Sequence, residues 1–205
     1  MALVGAILII VAYYLIDFFT EFLFIFAIGD KIEYGIGNFL YLATSEMIRI
    51  VVFAGILFTL NKRKNDAKKE IRRQDKIVFI ILTVIIPIAL MMISKAICNH
   101  IGCEYETNNN LELGDWVCVF LTPFSEEITF RGCMISLARK NNLNEKVMIV
   151  ASSMVWTILH SYNIIIRISI FFTGILYSMI YSKTDRLKYN IISHFIWNLI
   201  TIMGY

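Results

Sequence analysis

Long apolar blocks separated by short polar stretches make up most of the chain; Leu3–Phe26, Ile77–Ile93 and Val147–Leu159 are examples. Blocks of about 20 residues match a hydrocarbon core about 30 Å thick. None of them alternates with period two. Only helices and closed barrels satisfy the backbone in lipid, so the pattern predicts helices. It divides into seven candidate spans, at about 3–28, 37–60, 77–97, 116–138, 147–162, 164–182 and 189–204. The fifth and sixth are the least clearly separated, by Ser161, Tyr162 and Asn163 alone, and the fifth is short for a crossing. Pro87 and Pro123, the two prolines, fall inside apolar blocks, which transmembrane helices tolerate. The expected fold is an all-α, polytopic transmembrane helical bundle of about seven spans, forming a single integral membrane domain over 1–205.

Composition strengthens this reading. The 205 residues are 58% hydrophobic, with a mean hydropathy of +0.69, whereas soluble domains are about 45–50% apolar. The first block has no basic residues before it and no small-residue cleavage site after it. It also contains Asp17 and Glu21, so a retained helix is expected rather than a signal peptide. No lipidation motif or repeat is evident. Cys118 and Cys133 lie in one apolar segment and read as small packing residues. Cys98 and Cys103 flank a short loop, and could form a disulfide if that loop is outside the cell.

Charge gives an orientation. Loops 61–76, 139–146 and 183–188 hold fourteen basic residues, including Lys62, Arg63, Lys64, Lys68, Lys69, Arg72, Arg73 and Lys76 in the first. With seven spans these loops share one side. The other side has Lys31 alone, and its loop 98–115 carries Glu104, Glu106, Glu112 and Asp115. The expectation is a cell-membrane protein with a cytoplasmic N-terminus and an external C-terminus. The basic run reads as a topogenic loop that can touch anionic headgroups of the lipid bilayer, with no nucleic acid required.

Ionisable groups inside spans are costly and tend to be paired or functional. Lys95 and Arg167 lie near span ends and can snorkel. Asp17 and Glu21 need partners on other helices or a place near the outer surface, while Glu46 and Arg49 are spaced to pair on one face. The fourth span reads Thr122-Pro-Phe-Ser-Glu-Glu-Ile-Thr-Phe-Arg-Gly132. Glu127 and Arg131 are i,i+4 and can neutralise each other, whereas Glu126 points about 100° away. A desolvated carboxylate without a close cation resists ionisation and can serve as a base near neutrality. The fifth span places Trp156 four residues before His160, so that the rings can pack. The last places His194 four residues before Asn198. Taken singly, each could be ordinary packing or helix association. Together, a carboxylate, an imidazole and an imidazole–amide pair on three helices are parts for activating water and holding an oxyanion. Depth is a partial check. At 1.5 Å per residue, Glu126 and His160 lie roughly 18–20 Å from the cytoplasmic ends of their spans, but His194 only about 8–9 Å.

These motifs resemble those of the CAAX-protease and bacteriocin-processing (CPBP, or Abi) family, which includes type II CAAX-prenyl endopeptidases and bacteriocin self-immunity proteins. Its pattern is EExxxR, FxxxH, and HxxxN or HxxxB on three helices. Glu126-Glu127-Ile-Thr-Phe-Arg131 matches the first motif, with the frequent glycine following at Gly132, and His194-Phe-Ile-Trp-Asn198 matches the third. Trp156 replaces the phenylalanine of the second and keeps an aromatic ring before His160. The resemblance implies an intramembrane endopeptidase with a catalytic core at about 116–204. Glu126 would activate water, His160 would assist, and His194 with Asn198 would hold the oxyanion, supported by Glu127, Arg131 and Trp156. Glu126, His160 and His194 could instead supply three ligands to zinc or another divalent metal, but there is no H-E-x-x-H pair, and metal-free catalysis is the expectation. The partner would be a membrane-associated peptide or protein substrate. Frequent Asn, Ile and Lys fits an AT-rich genome, pointing to a low-GC bacterium. Peptide processing or bacteriocin immunity then suits the chain better than cleavage of prenylated CAAX proteins. Two other readings remain: a non-proteolytic immunity or scaffold protein, and a proton-coupled transporter, which the absence of visible inverted repeats disfavours.

Overall fold

A computed structural model describes residues 2–29, 35–61, 73–103 and 111–203. The basic stretch 62–72, with Lys31, Glu104 and Glu106, lies outside the described residues. The fold is all-α, with no strand among the described residues. Three long helices come first: α1 (Ala2–Ile28), α2 (Gly35–Asn61) and α3 (Arg73–Ile101). A broken fourth unit follows, made of α4 (Leu113–Phe120), α5 (Thr122–Glu126), a π-helical stretch (Glu127–Cys133) and α6 (Met134–Lys140). Then come α7 (Glu145–Ile158), α8 (Ile164–Thr184) and α9 (Lys188–Ile202). All seven expected spans are therefore helical. Four segments, Leu3–Ala27, Gly35–Asn61, Ile81–Ile101 and Ile164–Thr184, are long and apolar enough to cross a membrane. Helices α7 and α9 have 14 and 15 residues, about 21–23 Å at 1.5 Å per residue, and fall short of a full crossing.

The expected fifth span, 147–162, ends earlier than its apolar pattern. Helix α7 stops at Ile158, because Asn163 caps α8 by accepting from the backbone N–H groups of Ile165 and Ile166, at 3.1 Å each. His160 therefore sits in a turn rather than on a helix face. The fourth unit breaks at Leu121, since Pro123 has no N–H to donate and occupies the first turn of α5. Its π-helical stretch carries the motif from Glu127 to Cys133, and such distortions occur often at functional sites.

Successive elements run up and down the bundle. At one end, a Cβ at Gly5 would touch Leu137, and one at Gly132 would come within 2.9 Å of Leu57. Phe79 and Tyr189 have ring centroids 6.4 Å apart at the same end, where the 141–144 and 185–187 turns lie. At the opposite end Cys98 Sγ meets Asn163 Oδ1 at 3.6 Å, and Gly114 is packed against Asn38. Cys98 and Cys103, which could have formed a disulfide, are free thiols here, joined by a backbone hydrogen bond from Cys103 N to Cys98 O of 2.9 Å. Positive φ at Gly102 turns the chain back between them.

The distribution of polarity is that of a protein in lipid. Helix α1 exposes Leu8, Val11, Phe18, Phe19, Phe22 and Leu23, whereas Glu46, Arg49, Glu127, Arg131, Asn190 and His194 are buried. Exposed apolar side chains need no cover in hydrocarbon, while charges there must find one another.

Candidate active site

Glu126 ends α5 and Glu127 begins the π-helical stretch, so the two carboxylates leave the backbone next to each other but enter different surroundings. Glu127 and Arg131 are completely buried, with Oε1 and Nη1 3.1 Å apart. That is the expected i,i+4 pair. Arg131 also stacks its guanidinium over the Trp156 ring, 4.0 Å from the centroid. A Cβ at Gly174 of α8 would lie 3.0 Å from Trp156 and 3.2 Å from Arg131 Nη2, so the missing side chain makes room for the cation.

His194 ties the two carboxylates together. Its Nδ1 is 3.1 Å from Glu127 Oε1, and its Nε2 is 3.7 Å from Glu126 Oε2. The depth mismatch expected from helical rise is not seen, since His194 lies beside both carboxylates. The π-helical stretch contributes, because it has more residues per turn and so advances less than an α-helix.

Trp156 links the remaining parts. Its indole N–H donates to Glu126 Oε2 at 2.5 Å, and its backbone carbonyl is 2.8 Å from His160 Nδ1. A carbonyl only accepts, so Nδ1 carries the hydrogen and neutral His160 keeps its lone pair on Nε2. The expected ring packing is present, with Trp156 and His160 edge to face and centroids 5.1 Å apart. Asn198 donates from Nδ2 to Cys118 O at 2.8 Å, which fastens α9 to α4.

His160, His194, Asn198 and Trp156 line a cleft of about 60 Å³ with Thr173 and Trp197. A water needs roughly 10–15 Å³ of such space, so the cleft has room for a few. Glu126 adjoins it through Trp156 and His194. At 8% exposed it is reachable, whereas Glu127 at 0% is sealed. The fit to a metal is poor: among the described residues no group of three or more His, Cys, Asp or Glu side chains converges on one point, and the indole N–H occupies the Oε2 position where a cation would sit.

Sequence reasoning missed several participants. The Trp156 bond to Glu126 was hidden because spacing shows ring packing but not where an indole N–H points. Thr173 and Tyr177 of α8 carry no motif, yet Thr173 lines the cleft and Tyr177 stands 6.2 Å from the His194 ring. Ser125, next to Glu126, donates to Glu46 of α2, and Arg49 joins Glu46 to Asp17 with 2.8 Å contacts to each. Asp17, Glu46 and Arg49 are thereby paired as expected, and they also anchor the segment that bears Glu126 and Glu127. Glu21 lies on the exposed side of α1.

The family model described as type II CAAX prenyl endopeptidase Rce1-like matches residues 111–200, which contain every candidate site residue. Comparison with curated proteins and with solved structures gives no match. The matched segment excludes α1–α3 but includes α8, one of the four helices long and apolar enough to cross a membrane. Residues 111–200, a little under half of the chain, are thus similar to the type II CAAX prenyl endopeptidases, and within that segment His160, His194 and Asn198 line the cleft while Glu126 lies beside it.

Proposed function

We propose that the protein is an intramembrane endopeptidase that hydrolyses a peptide bond in a membrane-associated peptide or protein, using a water activated by Glu126 and His160. The observation that carries this reading is the joint suspension of both groups from Trp156, by the indole N–H to Glu126 and by the backbone carbonyl to His160. One residue thus holds the carboxylate and orients the imidazole beside a cleft with room for water.

In the proposed reaction Glu126 takes a proton from water as its oxygen attacks the carbonyl carbon. The carbonyl π pair moves onto oxygen, and His194 and Asn198 donate to the oxyanion that forms. As the oxyanion collapses, the C–N bond breaks and the leaving nitrogen takes the proton from Glu126, either directly or through Nε2 of His160. Glu126 is then regenerated, and the products are a carboxylic acid and an amine. General acid–base catalysis of this kind contributes about 10²–10⁴-fold, and oxyanion donors about 10²–10³-fold each. The sealed Glu127–Arg131 pair holds His194 through Nδ1 and takes no proton from water.

Metal content of active, detergent-purified protein tests the mechanism. The expected result is hydrolysis of an apolar quenched peptide without stoichiometric metal. About one zinc per chain, lost together with activity in His194→Ala, would favour the metal-ligand alternative.

A further inference from the structure

The cleft has a direction. Its most buried members, Thr173, Tyr177 and His194, are 0–4% exposed, while Tyr162 is 43% exposed. Access therefore runs from the middle of the bundle towards Tyr162. Tyr162 lies in the turn between α7 and α8, and Thr201, which also lines the cleft, lies in the last turn of α9. Both mark the end of the bundle where Cys98 meets Asn163.

The opposite end carries the charge. Arg139, Lys140, Lys146, Lys183, Arg186 and Lys188 all flank the 141–144 and 185–187 turns, and α3 starts there at Arg73 after the basic stretch. Arg139 is fixed in place by Glu145 at 2.9 Å and by Asp185. At the cleft end, the described residues after α3 include Glu112 and Asp115 in a capping box, and no Lys or Arg occurs anywhere in 98–115. Basic residues beside short loops stay on the cytoplasmic side.

From these two gradients, of burial and of charge, we infer that the active-site cleft opens on the non-cytoplasmic face of the membrane and takes its substrate from there. The substrate class is then an apolar peptide segment that has already been exported, or the external end of a membrane-anchored one, rather than a cytosolic chain end. The lining suits such a segment. Trp156, Tyr162, Tyr177 and Trp197 offer aromatic faces to apolar side chains, and His160, Thr173, His194, Asn198 and Thr201 set polar groups among them for a peptide backbone. The substrate part of this inference rests on the protease reading, whereas the sidedness does not.

Single-cysteine labelling tests sidedness without requiring catalysis. Tyr162→Cys and Thr201→Cys, each made with the four native cysteines changed to serine, are treated with a membrane-impermeant maleimide in intact cells. Leu143→Cys, in the turn after α6, is the comparison position. The expected result is labelling of position 162 or 201 in intact cells and of position 143 only after lysis. Labelling of 143 in intact cells, with 162 and 201 reached only after lysis, overturns the inference and leaves the protease reading standing. Loss of the protease reading, through an inactive purified protein, would leave the labelling pattern unchanged. Should the cysteine-free background fail to accumulate, a protease-sensitive tag inserted after Leu143 or after Ser161 gives the same two outcomes.

Discussion

Two buried arginines, Arg49 and Arg131, have similar surroundings but do different things. Arg49 lies over the Tyr13 ring at 4.0 Å and contacts Glu46 and Asp17 at 2.8 Å each. Arg131 lies over the Trp156 ring at the same 4.0 Å and faces Glu127 at 3.1 Å. The first cation has two short contacts and leaves only its Nε without a hydrogen bond, and Tyr41 and Ser45 donate to Asp17 as well. The second lacks more: its Nε, Nη1 and Nη2 have no aligned hydrogen bond even though Nη1 lies close to Glu127, and Glu127 Oε2 is also without one. A nearly saturated cluster joins helices. A cluster short of partners beside a cleft leaves its carboxylates available to a histidine, and His194 takes up that position. The difference teaches that burial of charge alone does not mark the site; incomplete pairing at a cleft does.

The largest effect on folding should come from removing the charge on Glu127. Glu127→Gln strands Arg131 at zero exposure, and breaking a buried pair on one side costs about 3–5 kcal/mol. Membrane abundance and thermal stability should both fall, to be read by quantitative immunoblot and a melting assay. Normal abundance would mean that the two arginine clusters are not different in kind.

Trp156→Phe sharpens the comparison, because it installs the phenylalanine of the family motif, keeps an aromatic ring near Arg131 and removes the N–H to Glu126 together with one ring of the indole. Hydrogen bonds to charged groups contribute about 1.5–3 kcal/mol, so kcat/KM should fall at least tenfold with abundance unchanged. An unaltered rate would detach Trp156 from the positioning of Glu126. The smallest effect belongs to Asp17→Asn. The Asp17 side chain is 38% exposed, and pairs of that kind are worth about 1 kcal/mol or less. Stability should drop only slightly and activity should hold. A severe loss of activity would show that the α1–α2 cluster does more than join helices.

Much of this was legible in the sequence. Apolar blocks gave all seven helical segments, because lipid leaves the backbone few alternatives. The pairs Glu127–Arg131 and Glu46–Arg49 followed from helical spacing, and the motifs singled out His160, His194 and Asn198, which line one cleft with Glu126 beside it. What was not legible depends on departures from regular helix. The π-helical stretch and the capped turn at Asn163 set the heights of Glu126, His160 and His194, and apolar patterning carries no sign of either. Nor does spacing say that His194 bridges both carboxylates, or that Ser125 carries the influence of α2 to the residue beside Glu126.

The contrast between the two adjacent glutamates is the centre of the account, and the turnover of purified Glu126→Gln tests it most directly. The substitution keeps the shape of a side chain that is only 8% exposed, so the protein should accumulate and melt like the parent. Its kcat should fall by about 10²–10⁴-fold, the range expected for loss of a general base. Folded Glu126→Gln protein that retains the parent's kcat would contradict the assignment of Glu126 as the base.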